Sequence, residues 1–191
     1  MPEAGGFGIT TYVPGNPSLP VPIAAGESLS RYISRGANNA CYDDKNHDGV
    51  AEFSGYGCNH IAWDFAGFPV GTPVLAVDDG DVIEAGWHGD YGNFVLLGHD
   101  TDDDGNYDYY TAYGHMSAIM VEKGGKIGGG QQLGAIGSTG NSTGPHLHFE
   151  LRTSPAYSSC VNPTSFVENL AAQSGVLLSS EYNGNSRTFG G

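Results

Sequence analysis

The chain has 191 residues, enough for one domain with a substantial buried core. Its formal net charge of -14 argues against nucleic acid and anionic membranes as partners, because both require a basic surface on the protein. No apolar stretch is long enough to span a bilayer, so we expect no membrane insertion.

The two ends of the chain differ in composition from its middle. Residues 1–29 are rich in Gly, Pro and Ser and predict an extended segment that wraps the surface. We expect residues 30–173 to form one domain and residues 174–191 to be a mobile tail or a linker. The first residues lack a basic start followed by an apolar core, so we expect that an export signal is not part of this chain.

Two acidic loops share one template, with oxygen donors at positions 1, 3 and 5, a glycine at 6 and a carboxylate at 9. Such loops favour calcium, with a structural role, although a solvated acidic turn is the alternative. Position 12 is Gly55 in one loop and Thr111 in the other, so neither is a complete EF-hand. The predicted ligands are Asp44, Asn46, Asp48, Val50 (backbone carbonyl) and Glu52 in the first loop, and Asp100, Asp102, Asp104, Asn106 (backbone carbonyl) and Asp108 in the second.

Cys41 and Cys58 bracket the first acidic loop. A disulfide between them would contribute about 3 kcal/mol by constraining the unfolded chain. Cys160 would then be unpaired, and three reduced thiols or another pairing are the alternatives. No Cys-x-x-Cys spacing occurs, so we do not expect a thiolate zinc site.

Two segments alternate with the period of a half-buried strand, so that one face belongs to the core and the other carries polar groups. In the second segment, two imidazoles on one face lie about 6.5 to 7 Å apart. Because this gap is long for one ion, we expect one of them to bind a metal and the other to contact substrate or water. Ile61, Trp63 and Phe65 oppose His60, Ala62 and Asp64, and Leu147, Phe149 and Leu151 oppose His146, His148 and Glu150.

The remaining pattern predicts an all-β, mostly antiparallel fold with one short C-terminal helix. The 31 glycines and 10 prolines separate short apolar runs, as expected for many strands joined by turns. Asn162 and Pro163 would start the helix and Gly175 would stop it. Phe166, Val167 and Leu170 would form its apolar stripe.

Two histidines and one carboxylate satisfy the usual donor set of a zinc hydrolase, which keeps its fourth position for water. The helical His-Glu-x-x-His motif is absent, so a group other than that Glu must handle the proton, and histidine is the natural choice. Three further histidines lack ligand spacing and are predicted to be structural or surface residues: His47, His88 and His99.

Three elements resemble the M23, or lysostaphin/LytM-type, zinc endopeptidases, over roughly residues 57–151. They are the His60-x-x-x-Asp64 element, the Tyr113-Gly114-His115 element and the run from Gly137 to Glu150. The resemblance implies a lysostaphin/LytM-like catalytic domain, known as a duplicated hybrid motif, with one zinc ion at the floor of a groove.

The resemblance also implies residue roles. His60, Asp64 and His148 would be the zinc ligands, while His115 and His146 would be a catalytic pair that does not bind the metal. His146 would be the general base and His115 would stabilise the oxyanion or relay a proton, although the two roles could be exchanged. Ala62 departs from the Gly that the family often has, and its methyl group would narrow the site.

The resemblance implies hydrolysis of peptide bonds in peptidoglycan cross-bridges or stem peptides, or in glycine-rich proteins. We therefore expect a monomer that is secreted, periplasmic or on the cell surface. Candidate groove residues are Tyr91, Asn93, Tyr110, Tyr113 and the loop 138–143. Two other functions stay open: a non-hydrolytic LytM-like module that binds cell wall or activates an amidase, and a calcium-dependent adhesion module.

Overall fold

The structure is a computed structural model that describes residues 18–35, 42–43, 52–53 and 62–178. Within these residues the chain forms thirteen strands and one α-helix. The strands are β1 (Ile33–Arg35), β2 (Tyr42–Asp43), β3 (Glu52–Phe53), β4 (Trp63–Ala66), β5 (Pro73–Leu75), β6 (Gly80–Trp87), β7 (Asn93–His99), β8 (Tyr109–Met116), β9 (Ala118–Ile119), β10 (Lys126–Ile127), β11 (Gln132–Ala135), β12 (His146–Arg152) and β13 (Cys160–Val161). The helix α1 is Thr164–Gln173.

The central element is an eight-stranded sheet in the order β1-β4-β12-β8-β7-β6-β10, with β13 paired to β12. A second sheet has the order β5-β11-β9, and β2 pairs with β3. Every pairing between these strands is antiparallel, which confirms the predicted all-β, mostly antiparallel fold.

The two faces of the central sheet have different environments. One face packs into the main core, which includes Trp63, Phe65, Leu147, Phe149 and Leu151. The opposite face has a smaller apolar cluster of Phe94, Leu96 and Ala112, with Tyr91 packed against it. Asp64, His148 and Glu150 alternate with the core residues along β4 and β12, as the period-2 pattern predicts.

The predicted helix is confirmed. Its buried residues are Phe166, Val167, Leu170 and Ala171, and Gly175 follows it with a φ of 71°. The amide of Thr164 donates to Asn162 Oδ1 at 3.0 Å, while Trp63 Nε1 donates to Thr164 Oγ1 at 3.2 Å. These bonds fix the start of α1 against β4. Within the described residues, no helix has the length and apolar character needed to cross a membrane.

The ends of the described chain pack against each other. Leu19 and Val21 lie in the main core, so residues 18–29 contribute to packing as well as covering the surface. Val176 is also buried, and the amide of Leu177 donates to the Glu27 carbonyl oxygen at 2.8 Å. Ordered packing therefore continues past residue 173, and the proposed domain boundaries stay a prediction.

Candidate metal centre

Two predicted ligands face each other across neighbouring strands. Asp64 on β4 and His148 on β12 are direct cross-strand partners. His148 Nδ1 lies 3.1 Å from Asp64 Oδ1. Because the backbone pairing fixes both residues, an oxygen and a nitrogen donor meet on the face of the sheet that lies opposite the main core.

His146 lies at the start of the same strand. Its Nε2 is 3.7 Å from Asp64 Oδ1, and its Nδ1 donates to the Gly144 carbonyl oxygen at 2.9 Å. A carbonyl oxygen can only accept, so the neutral ring carries its proton on Nδ1 and has a lone pair on Nε2. The side chains of Asp64, His146 and His148 keep 12%, 15% and 14% of their surface exposed, so solvent reaches all three.

His115 joins the site through an unusual backbone conformation. Alternation along β8 would point it into the main core, on the same side as Tyr113. Its φ of 62° is left-handed and breaks the alternation. The His115 ring consequently lies 4.7 Å from that of His146 and 5.5 Å from that of His148, measured between centroids.

A hydrogen bond and burial define the state of His115. Its Nδ1 donates to the Thr139 carbonyl oxygen at 2.8 Å, which leaves the lone pair of the neutral ring on Nε2. Burial lowers the pKa of His115 to about 4, against the weaker opposing effect of this bond. His115 is therefore neutral at pH 7.

The loop 138–143 is held against the site by a small set of polar contacts. Thr139 Oγ1 accepts a bond from the Asn93 amide at 3.0 Å and donates to the Met116 carbonyl oxygen at 2.8 Å. Gly140 has a φ of 74°, and a Cβ there would lie 2.3 Å from the Asp90 carbonyl oxygen. Glycine is thus required where this loop passes residues 90–92.

Glu150, which was given no role in the sequence analysis, binds the other side of His148. Glu150 Oε1 lies 2.9 Å from His148 Nε2 and accepts a bond from the Tyr91 hydroxyl at 2.6 Å. Glu150 Oε2 accepts two bonds from Arg152, from Nε at 2.7 Å and from the terminal nitrogen at 2.6 Å. Cys160 Sγ is 3.3 Å from the same oxygen.

The charges of this network shift both ionisable partners. Burial alone would raise the pKa of Glu150, but the bond to His148 and the Arg152 charge lower it to about 2. Burial alone would lower the pKa of His148, but the bonds with Asp64 and Glu150 raise it to about 9. Burial and the Glu150 charge raise the pKa of Tyr91, so its hydroxyl stays a donor. The position of His148 therefore favours a cation, whether a proton or a metal.

Several predicted residues lie outside the described part of the chain. They include the third proposed zinc ligand, His60, both cysteines of the proposed disulfide, Cys41 and Cys58, and the donors of the first acidic loop at positions 44 to 50. Of that loop, only the Glu52 backbone in β3 is described. These assignments stay predictions. Ala62, two residues before Asp64, is fully buried.

The predicted groove residues have different positions. Tyr91 lies beside the site. Its ring packs edge-on against that of His148, with an interplanar angle of 65° and a centroid distance of 5.5 Å. Asn93 uses its side-chain amide to bind the Met116 carbonyl oxygen, and Tyr110 packs edge-on against Tyr107. Tyr113 is fully buried in the main core, where its hydroxyl contacts the Val77 amide. Its assignment to a groove is wrong, because it lies on the core side of β8.

The second acidic loop brings together three of its five predicted donors. Asp100, Asp102 and Asp108 each offer an oxygen within 4.8 Å of the others. The Asp104 carboxylate instead accepts a bond from the Asn106 amide at 2.8 Å. Three of the predicted donors are therefore close together and Asp104 is bonded elsewhere. Calcium binding stays a prediction.

The two described histidines without ligand spacing are not among the side chains that meet at Asp64 and His148. His99 is fully buried, with Nδ1 2.7 Å from the Asp79 carbonyl oxygen and Nε2 2.7 Å from Thr111 Oγ1. His88 is half exposed, and its ring packs edge-on against Tyr91 and at a tilt against Phe94. Both positions agree with structural or surface roles.

Fold and side chains together define a β-sheet protein with a candidate divalent-metal centre. The donor chemistry of Asp64 and His148 fits zinc, which accepts carboxylate oxygen and imidazole nitrogen. The chain belongs to peptidase family M23, which matches residues 59–163.

Known proteins similar to this chain include two curated relatives and one solved domain. The peptidoglycan DD-endopeptidase ShyA of Vibrio cholerae is 47% identical over 92 residues, which are 48% of this chain and 20% of ShyA. The glycyl-glycine endopeptidase ALE-1 of Staphylococcus capitis is 37% identical over 129 residues, 67% of this chain and 34% of ALE-1. The catalytic domain of lysostaphin, an antimicrobial peptidase from Staphylococcus simulans, has 31% identity and a TM-score of 0.56, covering 73% of this chain and 95% of that domain.

These comparisons confirm the lysostaphin/LytM-type fold. The chain spans between 20% and 34% of the length of the two curated relatives. The substrates of those proteins therefore guide a proposal for this chain but are not assigned to it.

Proposed function

We propose that this protein is a zinc endopeptidase that hydrolyses peptide bonds in bacterial peptidoglycan. The observation that carries the proposal is the convergence of Asp64, His115, His146 and His148 at one end of the central sheet. A module that only binds cell wall would not require four such side chains to meet at a solvent-accessible position.

His60, Asp64 and His148 would hold the zinc ion. When bound, zinc supplies Lewis acidity and lowers the pKa of its water towards about 7. The family match includes position 60, and the two described donors lie 3.1 Å apart. These donors are neutral or anionic when deprotonated, as a divalent cation requires.

The proton-transfer roles follow from the ring nitrogens. His146 would act as general base through Nε2, because its Nδ1 is bonded to the Gly144 carbonyl oxygen. Neutral His115 has no donor at Nε2, since its proton is on Nδ1. It therefore suits relaying a proton better than donating a hydrogen bond to an oxyanion.

The substrate would be a cross-bridge or stem peptide, or a glycine-rich protein. ShyA is a DD-endopeptidase and ALE-1 a glycyl-glycine endopeptidase, so relatives in this range cleave different bonds. Action on such substrates would take place outside the cytoplasm, in the periplasm or at the cell surface. Tyr91, whose ring packs edge-on against His148, is a candidate groove residue that borders the site.

Calcium is a separate part of the proposal. Asp100, Asp102 and Asp108, each with an oxygen within 4.8 Å of the others, would bind one calcium ion in the second acidic loop. The first loop, with Glu52, would bind another by the same template. Both ions would be structural, since the second loop connects β7 to β8 and contributes no residue to the candidate metal centre.

Digestion of purified muropeptides tests the function directly. Two chemotypes, one with direct cross-links and one with glycine bridges, would be incubated with the protein and products identified by mass spectrometry. We expect cleavage of one chemotype, its loss with phenanthroline and its return with zinc. Binding to sacculi without any product would contradict the proposal and favour the non-hydrolytic module.

A matched pair of substitutions gives the control. Asp64→Asn should abolish both zinc binding and cleavage. Asp81 lies on β6, several strands away along the sheet, and pairs with Lys126 of β10 at the surface. Asp81→Asn removes an equivalent charge there and should retain both zinc binding and cleavage. Equal activity of the two variants would contradict the site.

A further inference from the structure

We propose that Glu150 is a positioning residue that holds His148 by its Nε2 atom and thereby presents Nδ1 to the metal. This inference rests on the metal site proposed above and adds a residue to it. Glu150 is 1% exposed, so its role lies in what it binds inside the protein.

The first step is the orientation of the imidazole. His148 Nε2 lies 2.9 Å from Glu150 Oε1, and Nδ1 lies 3.1 Å from Asp64 Oδ1. A carboxylate only accepts, so Nε2 donates its proton to Glu150. Nδ1 faces the Asp64 carboxylate, and its lone pair becomes available when a metal ion replaces its proton.

The second step is the fixation of Glu150 itself. Arg152 binds Oε2 through two nitrogens, at 2.7 and 2.6 Å, and also donates to the Pro155 carbonyl oxygen at 2.9 Å. The Tyr91 hydroxyl donates to Oε1 at 2.6 Å. Both oxygens are therefore held, and the carboxylate cannot rotate away from His148 without breaking several buried bonds.

The third step is steric. A Cβ at Gly114 would lie 3.1 Å from Tyr91 Cδ1 and 3.5 Å from His148 Cβ. Glycine at this position leaves room for the Tyr91 ring to pack against His148. Tyr91 thus supports the orientation twice, by its ring and by its hydroxyl.

Zinc affinity, measured on the full chain by competition with a chromophoric chelator, tests the inference apart from activity. Glu150→Gln should weaken zinc binding about 10- to 100-fold, as for other groups that orient metal-binding histidines. Tyr91→Phe removes only one hydroxyl and should weaken binding several-fold. Tyr113→Phe is the matched control, because it deletes a buried hydroxyl on the core face and should leave zinc affinity unchanged.

The ¹⁵N shifts of His148 in the zinc-loaded protein give a second measurement, and we expect a proton on Nε2 and the metal on Nδ1. The inference is overturned if the metal is on Nε2, if Glu150→Gln and Tyr91→Phe bind zinc like the unmodified protein, or if Tyr113→Phe weakens binding as much as Tyr91→Phe. If Glu150→Gln does not fold, the two tyrosine variants decide. Failure of the unmodified protein to bind zinc would instead contradict the proposed function.

Discussion

Two histidines on opposite faces of one sheet, His148 at the solvent-accessible site and fully buried His99, each have both ring nitrogens hydrogen-bonded, yet their environments differ. His148 lies between the carboxylates of Asp64 and Glu150, and its pKa is raised to about 9. His99 lies between a carbonyl oxygen and the Thr111 hydroxyl, and burial lowers its pKa.

The difference shows that the hydrogen-bond partners of a histidine, rather than burial alone, decide whether its ring favours a bound cation. Anionic partners on both sides favour a cation at His148. Neutral partners at His99 favour the uncharged ring, which joins β7 to β8 through Thr111 and to the Asp79 carbonyl oxygen just before β6. The sequence also distinguishes the two residues, since only His148 alternates with other ionisable side chains, His146 and Glu150.

Exchanging each histidine for glutamine is the strongest way to break this comparison. His148→Gln should weaken zinc binding by more than about 100-fold, because it removes a proposed ligand rather than a residue that orients one. His99→Gln should leave zinc affinity within about twofold, because it lies on the other face of the sheet. Isothermal titration of zinc into both variants measures the difference, and similar losses would show that the two positions are not distinct.

The same His99→Gln variant should lose stability. It leaves the buried Thr111 hydroxyl or the Asp79 carbonyl oxygen without a well-placed partner, at a cost of about 1–3 kcal/mol. Urea unfolding followed by fluorescence gives the value. An unchanged free energy of unfolding would contradict a structural role for His99.

Acid titration sharpens the contrast. Because the pKa of His99 is lowered in the folded state, the unfolded chain binds more protons below its own value of about 6.5, and stability falls as the pH decreases. The free energy of unfolding should therefore fall more steeply between pH 6.5 and 5 in the unmodified protein than in His99→Gln, by up to about 1.4 kcal/mol per pH unit. Thr111→Val keeps the histidine and should keep the steeper slope even though it lowers stability.

Gly114→Ala perturbs the His148 side without changing any charge. The new Cβ would push against the Tyr91 ring at 3.1 Å, so the tyrosine must shift. We expect zinc affinity to fall several-fold, less than for Glu150→Gln, with little change in the pH slope that His99 produces. Unaltered zinc affinity would indicate that the Tyr91 ring does not support His148.

Calcium should have the smallest effect, limited to the His99 side of the molecule. The second acidic loop begins directly after His99, and the Asp108 amide donates to the His99 carbonyl oxygen at 2.8 Å. Adding calcium to metal-free protein should raise the melting temperature by a few degrees without altering zinc affinity. Asp102→Asn should reduce the shift, and a melting curve indifferent to calcium would contradict the loop assignment.

Alternating patterns in the sequence predicted correctly which side chains of β4 and β12 share a face, because strand geometry depends only on local spacing. The helix was predictable for the same reason. The left-handed conformation of His115 was not, since it depends on contacts with the loop that contains Thr139.

Long-range contacts account for two of the other residues that the sequence did not assign correctly, and a local contact accounts for a third. Glu150 stands two residues from His148, so its face was predictable, but its partner Tyr91 is 59 residues away. Tyr113 was predicted to line a groove, whereas its neighbours across the sheet bury it in the main core. Asp104 fits the loop template in sequence but binds Asn106 in the structure.

The cross-strand pairing of Asp64 with His148 also sets the mutational tolerance of the molecule. Inserting or deleting a single residue inside β4 or β12 would exchange the faces of every following side chain in that strand, so the hydrophobic interior and the polar centre would be lost together. Length changes in connections such as 100–108 would leave that pairing intact. Natural or engineered variation in substrate choice is therefore expected in the loops, while these two strands keep a constant length.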